Sequence, residues 1–393
     1  MDPKVTDTIE MNGDPLAFLL RRGRTRSPLL CGGRDVIKVE ARQLVGHQKE
    51  AVVTEGADAS AWRLTSDEGR HLRGTDLAPF PLGFFSAGLQ SDLYGRVRTL
   101  AAARNIALDD AEIRVANHYW LTGSFIHGTG EGHAEAPDIE VRVQSGASTD
   151  AIRTLVAAAM DASPAIAFLR TPLLGNTFAL YVNGRRRQVD GVVNSPSTEV
   201  DDPYRVHARA PRPIDANPRR DLIEKTGRVE QGTPQPAAAT VTNKLIRNVL
   251  GEGKSLGHDG LYEVDTWLGM PGASHFRLMS DEGHSDTAPC GLALLSAGVA
   301  FCYMTQLSRY IENMKMKISG VRLVQFNPYA AGPTAAAEPI DTYLFLNGEA
   351  PEEMHLRLLT IAARTCYLHA ASKTATEPNL RIIHNGRDVA RAA

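Results

Sequence analysis

Trp62-Arg-Leu-Thr-Ser-Asp-Glu-Gly69 is spelled a second time, nearly unchanged, as Phe276-Arg-Leu-Met-Ser-Asp-Glu-Gly283. Working outward, the echo continues in order. Pro79 matches Pro289, Ser86-Ala-Gly88 matches Ser296-Ala-Gly298, Ile113-Arg-Val115 matches Val321-Arg-Leu323, and Asn183-Gly-Arg185 matches Asn385-Gly-Arg387. The spacing between partners shrinks along the chain, as small loop deletions would make it. Ordered matches of this kind mark two copies of one fold, fused and then diverged. What one copy kept and the other lost is therefore the first clue to function.

The 393 residues suit two units of ordinary domain size, each able to bury a core. With 43 basic against 45 acidic residues the net charge is −2. Nothing in that balance points to nucleic acid or an anionic membrane as partner. Four cysteines, Cys31, Cys290, Cys302 and Cys366, are too few and too irregular for a disulfide-stapled secreted protein. Met1-Asp-Pro-Lys-Val lacks the basic-then-apolar profile of a signal peptide, and no run of the sequence reads as a bilayer span. The expectation is a cytoplasmic protein with reduced thiols, no membrane association and no bound cofactor.

Residues 1–33 read as an extension with a basic run and a short apolar patch at Leu16–Leu20. The first copy is assigned to 34–186, a Pro-, Asp- and Arg-rich linker to 187–240, and the second copy to 241–393. Such a linker is too long for a bare loop, so part of it is expected to pack on the surface. Alternating apolar segments such as Leu261–Trp267 and His275–Met279 predict strands. A long helix follows from Leu292 to about Lys315, with its mate from Leu82 to about Arg104. Strands return at Val321–Gln325 and Asp341–Leu346, with mates at Ile113–Ala116 and Ile139–Val143. One further helix over 351–371 (mate 149–168) precedes a last strand at Asn379–His384 (mate Phe178–Val182). Strands followed by segregated helices predict an α+β fold. Gly298-Val-Ala-Phe-Cys-Tyr-Met304 is apolar nearly all round, so that helix must be buried. Packing the two long helices on each other across a pseudo-two-fold axis, between antiparallel sheets, gives a single-chain pseudo-dimer whose halves are free to differ.

The second copy resembles the osmotically induced protein C / organic hydroperoxide resistance (OsmC/Ohr) superfamily. The resemblance lies in His275-Phe-Arg-Leu-Met-Ser-Asp-Glu-Gly283, Ala288-Pro289, Leu292-Ala-Leu-Leu-Ser-Ala-Gly-Val-Ala-Phe-Cys302 and Ile361-Ala-Ala-Arg-Thr-Cys366-Tyr-Leu368. It covers roughly 258–387 and, through the repeat, more weakly 46–186. The resemblance implies two tandem OsmC-like domains forming an intertwined dimer-like unit with thiol sites at the interface. It also implies that Cys302 attacks a hydroperoxide and Cys366 resolves the sulfenic acid as a disulfide. The chemistry needs such a pair, because a second thiol within reach stops over-oxidation.

The departures carry as much information. Where the hydroperoxide-specialised branch has a Glu ten residues before the helix cysteine, this chain has Leu292. Where that branch has an Arg in a Gly-rich turn, this chain has Gly257-His258-Asp-Gly260, and Gly46-His47-Gln-Lys49 in the first copy. The Arg–Glu pair is expected to be absent, with His47 or His258 left to tune Cys302 or act as base. In the first copy Asp92 stands at the place of Cys302 and Ser163 at the place of Cys366. That half cannot do thiol chemistry. A carboxylate mid-helix needs a partner, and Arg63 and Arg277 are the candidates. Cys290, two residues before the predicted helix start, sits where a helix dipole favours a thiolate.

Each of these residues also has a plainer reading. A cysteine in an apolar helix is ordinarily a small buried hydrophobe, a turn histidine a surface residue, and a mid-helix Asp one end of a structural ion pair. Cys31 lies in the extension, away from the chemistry. His118, His127 and His133 share a Gly-rich stretch, but their spacing fits no compact zinc site and the second copy lacks them, so no metal is expected. No phosphate-cradling or dinucleotide motif is present.

Three readings remain open. The first is a thiol-dependent peroxidase-like enzyme using Cys302 and Cys366, tuned by His47 or His258. The second is a cysteine hydrolase cleaving a C–C, ester or acyl bond of a small, mostly hydrophobic carbonyl substrate, with Cys302 as nucleophile, a histidine base and Asp92 orienting. The third is a non-catalytic module for a small hydrophobic ligand. Arg63, Arg277, Ser163 and Cys290 are the candidate substrate-binding residues. The partners these readings imply are a small-molecule substrate, a dithiol reductant and a second copy of the fused chain.

Overall fold

The computed structural model describes residues 7–11, 15–23, 33–125, 127–197, 199–208, 210–232, 245–257 and 260–389. The chain opens with strands β1 (Ala17–Arg21), β2 (Arg34–Gln43), β3 (Lys49–Thr54) and β4 (Ala61–Ser66), a 3-10 turn at Arg70–Leu72, and the long helix α1 (Pro81–Ala103). Next come β5 (Asp110–Thr122), β6 (Glu131–Ala134), β7 (Asp138–Gln144), helices α2 (Thr149–Asp161) and α3 (Pro164–Arg170), and β8 (Thr177–Val182). Between the copies lie β9 (Arg185–Arg187), β10 (Val193–Asn194), a single turn α4 (Tyr204–His207) and β11 (Ile223–Val229). The second copy repeats the order with β12 (Leu245–Ser255), β13 (Leu261–Leu268), β14 (Ser274–Asp281) and the long helix α5 (Gly291–Asn313). It closes with β15 (Ile318–Ala330), β16 (Ala336–Ala337), β17 (Asp341–Gly348), α6 (Glu352–Thr365), α7 (Tyr367–Lys373), β18 (Asn379–His384) and β19 (Arg387–Asp388).

The fold is α+β, and its two sheets each draw on both copies. One runs β1-β4-β3-β2-β15-β17-β8-β10, the other β11-β14-β13-β12-β5-β7-β18-β19. The copies therefore interleave. Strand β2 of the first pairs with β15 of the second (Val39 opposite Gln325), and β12 pairs with β5 (Val249 opposite Asn117). The sheets are mixed rather than wholly antiparallel, because β8 joins β17, and β18 joins β7, in parallel. Two corrections to the sequence reading appear at the margins. The apolar patch of the extension forms β1 against β4, and the linker supplies β11 against β14, the equivalent place in the other sheet. Elsewhere the linker packs over the outer face of the first sheet, where Asp202 pairs with Arg322 at 2.7 Å and His207 meets the Glu40 carbonyl at 3.1 Å.

Strand periodicity explains which side is wet. Along Asp110–Thr122 buried and accessible residues alternate almost without exception. The buried faces cover the two long helices, α1 on β5, β12 and β13, and α5 on β2, β3 and β15. Gly291–Asn313 is long and apolar enough to match a bilayer span, contrary to the sequence reading, but its most apolar window is wholly buried. The helices cross at glycine. A Cβ at Gly88 would lie 2.4 Å from the Leu295 amide nitrogen, and one at Gly298 would lie 2.7 Å from that of Phe85. Only the missing Cβ lets the backbones approach this closely. One apolar core runs through both copies as a result.

The segments predicted as single helices over 149–168 and 351–371 each break into two. In the first, Ser163 caps α3, its hydroxyl accepting from the Ile166 amide, with Pro164 at the first helical position. In the second, Cys366 takes extended backbone angles (φ −75°, ψ 120°) and is at once the end of α6 and the start of α7. No proline or glycine marks this second break. The break brings Cys366 to the end of one helix, where its sulfur reaches another.

Candidate active site

Cys302 sits in the middle of α5, 3% exposed, and Cys366 at the α6–α7 break, fully buried. Their Sγ atoms are 3.3 Å apart. Elements 64 residues apart thus deliver two thiols to hydrogen-bond distance.

The opposite wall comes from the first copy, and sequence reasoning missed it. Lys49 begins β3 directly opposite Ser66, the last residue of β4, so the Asp67-Glu68 turn follows beside it. Lys49 Nζ donates to the His47 carbonyl at 2.8 Å and lies 3.9 Å from Glu68 Oε1. Glu68 Oε1 accepts from the Thr305 hydroxyl at 2.6 Å, and Thr305 is one turn past Cys302. Lys49 is within electrostatic reach of Cys302. Both charges are out of water. Burial pulls the Lys49 pKa down against the attraction of Glu68, and pushes the Glu68 pKa up against the attraction of Lys49. A buried basic–acidic pair, Lys49 and Glu68, thus stands near Cys302, at positions other than the Gly-His turn and Leu292 at which the Arg–Glu pair was considered.

The sulfurs share one environment unequally. Burial pushes the Cys302 thiol well up. Burial also opposes ionisation of Cys366, but the hydrogen bond with Cys302 and the neighbouring His369 outweigh it and pull that thiol well down. The two thiols titrate as one coupled pair, and a proton can pass between them across the 3.3 Å contact. Only Cys302 of the two reaches open space. It lines a cavity of about 30 Å³ with Glu68, His71, Phe80, Arg309 and Tyr367. A water needs roughly 10–15 Å³ on this measure, so two oxygen-sized groups fit. His71 and Phe80 also line an adjoining cleft of about 460 Å³ walled by Met270, Phe276 and Lys225. Burial, with help from Arg247 and Arg309, depresses the His71 pKa to about 4, so at neutral pH His71 is an uncharged element between the two spaces.

The other predicted residues lie elsewhere or act differently. His47 is 4% exposed and faces Glu312 at 3.5 Å, and burial and Lys49 lower its pKa to about 4. It does not line the Cys302 cavity; Lys49, two residues on, supplies the cation near the sulfur instead. His258 and Cys31 fall outside the described residues. Asp92 is buried but pairs with neither predicted arginine. Its carboxylate accepts from Arg96 at 2.6 Å and from the Ser163 hydroxyl at 2.6 Å. This Asp92–Ser163 contact is the mirror of Cys302–Cys366, so the first copy keeps the geometry with a hydrogen bond in place of sulfur. Arg63 is buried against Glu50 at 2.9 Å, and Arg277 lies half-exposed between Glu224 and Glu263 at 3.3 and 3.6 Å. Neither lines the cavity, and nor does Ser163. Cys290 is the residue immediately before α5, not two before it. Its sulfur accepts from the Ala293 amide at 3.4 Å, about three turns from Cys302. His118 pairs with Asp138 at 3.1 Å and His133 stacks on Trp120. Among the described residues no group of three or more metal-binding side chains assembles.

A signal for the missed pair existed. Glu68 belongs to the repeated Ser-Asp-Glu-Gly, and Lys49 follows the Gly-His turn. Strand register shows why the counterpart of Lys49 was hidden. Lys49 faces Ser66 and Tyr262 faces Ser280, so Tyr262 is its equivalent, whereas matching the Gly-His turns points to Gly260.

No family model and no curated protein matches the chain. Among solved structures, an OsmC-like hydroperoxide resistance protein from Jannaschia sp. is similar over 36% of this chain and 95% of its own, at 25% identity and a TM-score of 0.24. At that score the similarity carries no structural inference.

Proposed function

We propose that this chain is a thiol-dependent, peroxidase-like enzyme of the OsmC type that reduces organic hydroperoxides through Cys302 and Cys366. The observation that carries the reading is the 3.3 Å separation of two buried sulfurs of which Cys302 alone opens on a cavity. The Cys302 thiolate attacks the outer peroxide oxygen and the O–O bond breaks. The alkoxide takes a proton and leaves as alcohol, and Cys302 is left as sulfenic acid. Cys366 then attacks the Cys302 sulfur, the S–S bond forms and water departs. A dithiol reductant, as a reducing compartment such as the cytoplasm provides, returns both thiols. Lys49 attracts negative charge toward the sulfur, while Glu68 holds Lys49 and Thr305 in place.

A hydrolase would need a base at Cys302. His47 is turned to Glu312, which weighs against it as that base. Turnover of cumene hydroperoxide with a dithiol, compared between wild type, Cys302→Ser and Cys366→Ser, tests the reading. Loss of peroxide turnover in both variants is expected. Full cleavage of acyl or diketone substrates by Cys366→Ser, with no peroxide turnover in wild type, would favour the hydrolase instead.

A further inference from the structure

His369 is a buried titratable group beside the sulfurs that this reading leaves unused. It stands three residues after Cys366, in the first turn of α7, 1% exposed. Its ring packs between Tyr303 (centroids 5.0 Å apart) and Phe178 (5.7 Å). Among the described residues neither ring nitrogen makes a hydrogen bond of ordinary geometry. A buried imidazole without well-formed hydrogen bonds is costly, and a role in proton transfer is one physical reason for such a group. The Cys366 sulfur is the acidic group it acts on, and its charge and hydrogen-bond contact both favour the Cys366 thiolate.

The other titratable groups around Cys366 are poor bases. Cys302 and Tyr303 reach it from α5, Tyr119 from β5 and Tyr367 from α7. Burial raises the pKa of all three phenols, so they stay protonated. Lys49, Glu68 and Arg309 lie on the Cys302 side of the pair. Once Cys302 has become sulfenic acid it can no longer take the Cys366 proton.

We propose that His369 is the base that deprotonates Cys366 in the step that closes the Cys302–Cys366 disulfide. The inference rests on the peroxidase reading above. The imidazole takes the Cys366 proton, and the thiolate pair attacks the Cys302 sulfur. The S–O bond breaks as the S–S bond forms, and the departing hydroxide takes the proton back from the imidazolium as water. Electrons balance within the two sulfurs, and the peroxide already consumed is the oxidant.

The test oxidises the full-length protein with one equivalent of cumene hydroperoxide and times the decay of the Cys302 sulfenic acid by dimedone trapping and mass spectrometry. His369→Gln and His369→Phe are compared with wild type between pH 5.5 and 9. General-base loss predicts a decay slowed about 100-fold or more near neutrality in both variants. It also predicts a rate that climbs about tenfold per pH unit where the wild-type rate is flat. Phenylalanine keeps the ring packing on Tyr303 and Phe178, so a structural role would leave His369→Phe like wild type. Wild-type decay and pH profile in His369→Phe would overturn the proposal while leaving the peroxidase reading intact. Absence of any Cys302 sulfenic acid in wild type would overturn both.

Discussion

Replacing Lys49 by methionine strips the Cys302 site of its buried cation, and the consequence can be worked from the geometry. Lys49 is fully buried and Glu68 5% exposed, with Nζ 3.9 Å from Oε1. Methionine fills the alkyl volume, so packing loss is small, but Glu68 loses its partner. Leaving one member of a buried ion pair unpaired costs about 3–5 kcal/mol. Protonation of Glu68 offers an escape. Its ordinary pKa is 4.5, so binding a proton at pH 7 costs about 1.36 kcal/mol for each of roughly 2.5 pH units, or about 3.4 kcal/mol. The predicted loss relative to wild type at pH 7 is therefore at most about 3 kcal/mol, with Glu68 neutral in the variant. The folded pKa of Glu68 is raised, so the folded state binds the proton more tightly than the unfolded state. Stability falls as pH rises from the ordinary value to the folded one. Glu68 is already raised in the wild-type fold, so the Lys49→Met deficit should open above the wild-type folded pKa and grow by about 1.4 kcal/mol per pH unit up to the still higher pKa of the variant. The double variant Lys49→Met/Glu68→Gln should recover most of the loss at pH 7. Urea unfolding of the four proteins of the cycle at pH 5, 6 and 7 measures all of this. A deficit independent of pH, or a double variant no more stable than the single one, would refute the buried-pair account.

Two further variants probe the rest of the frame. Gly88→Ala places a methyl 2.4 Å from a backbone nitrogen of α5, so the helices must separate, and thermal unfolding should report a loss of about 1–3 kcal/mol or more. Asp92→Ala strands Arg96 and frees the Ser163 hydroxyl in the core. A loss of about 3–5 kcal/mol in urea unfolding is expected, whereas a catalytic Asp92 would instead abolish turnover in a protein of native stability.

Much of the fold was legible because its signals are local. The repeat around Trp62 and Phe276 located both long helices, and the apolar stretch around Cys302 required burial of one of them. Alternation located most strands. What escaped depends on contacts between distant parts of the chain. The break at Cys366 has no proline to announce it, unlike Pro164 in the first copy. β1 and β11 are short edge strands whose sequences read as extension and linker, and only pairing to β4 and β14 makes them strands. In the site, both cysteines were readable from the resemblance. Lys49 and Glu68 were not assigned, because they belong to the half without thiols and reach Cys302 through the interleaving of the two copies. Asp92 was expected to pair with Arg63 or Arg277, but arginine one helical turn away, not a strand arginine, meets it.

The central claim is that Cys302 and Cys366 act as a redox pair. Reduced protein treated with one equivalent of cumene hydroperoxide, digested under non-reducing conditions and mapped by mass spectrometry, measures it directly. Rapid, stoichiometric formation of a Cys302–Cys366 disulfide that a dithiol reverses is predicted, with Cys290 left unoxidised. Unreacted thiols, or slow oxidation of every cysteine alike, would contradict it.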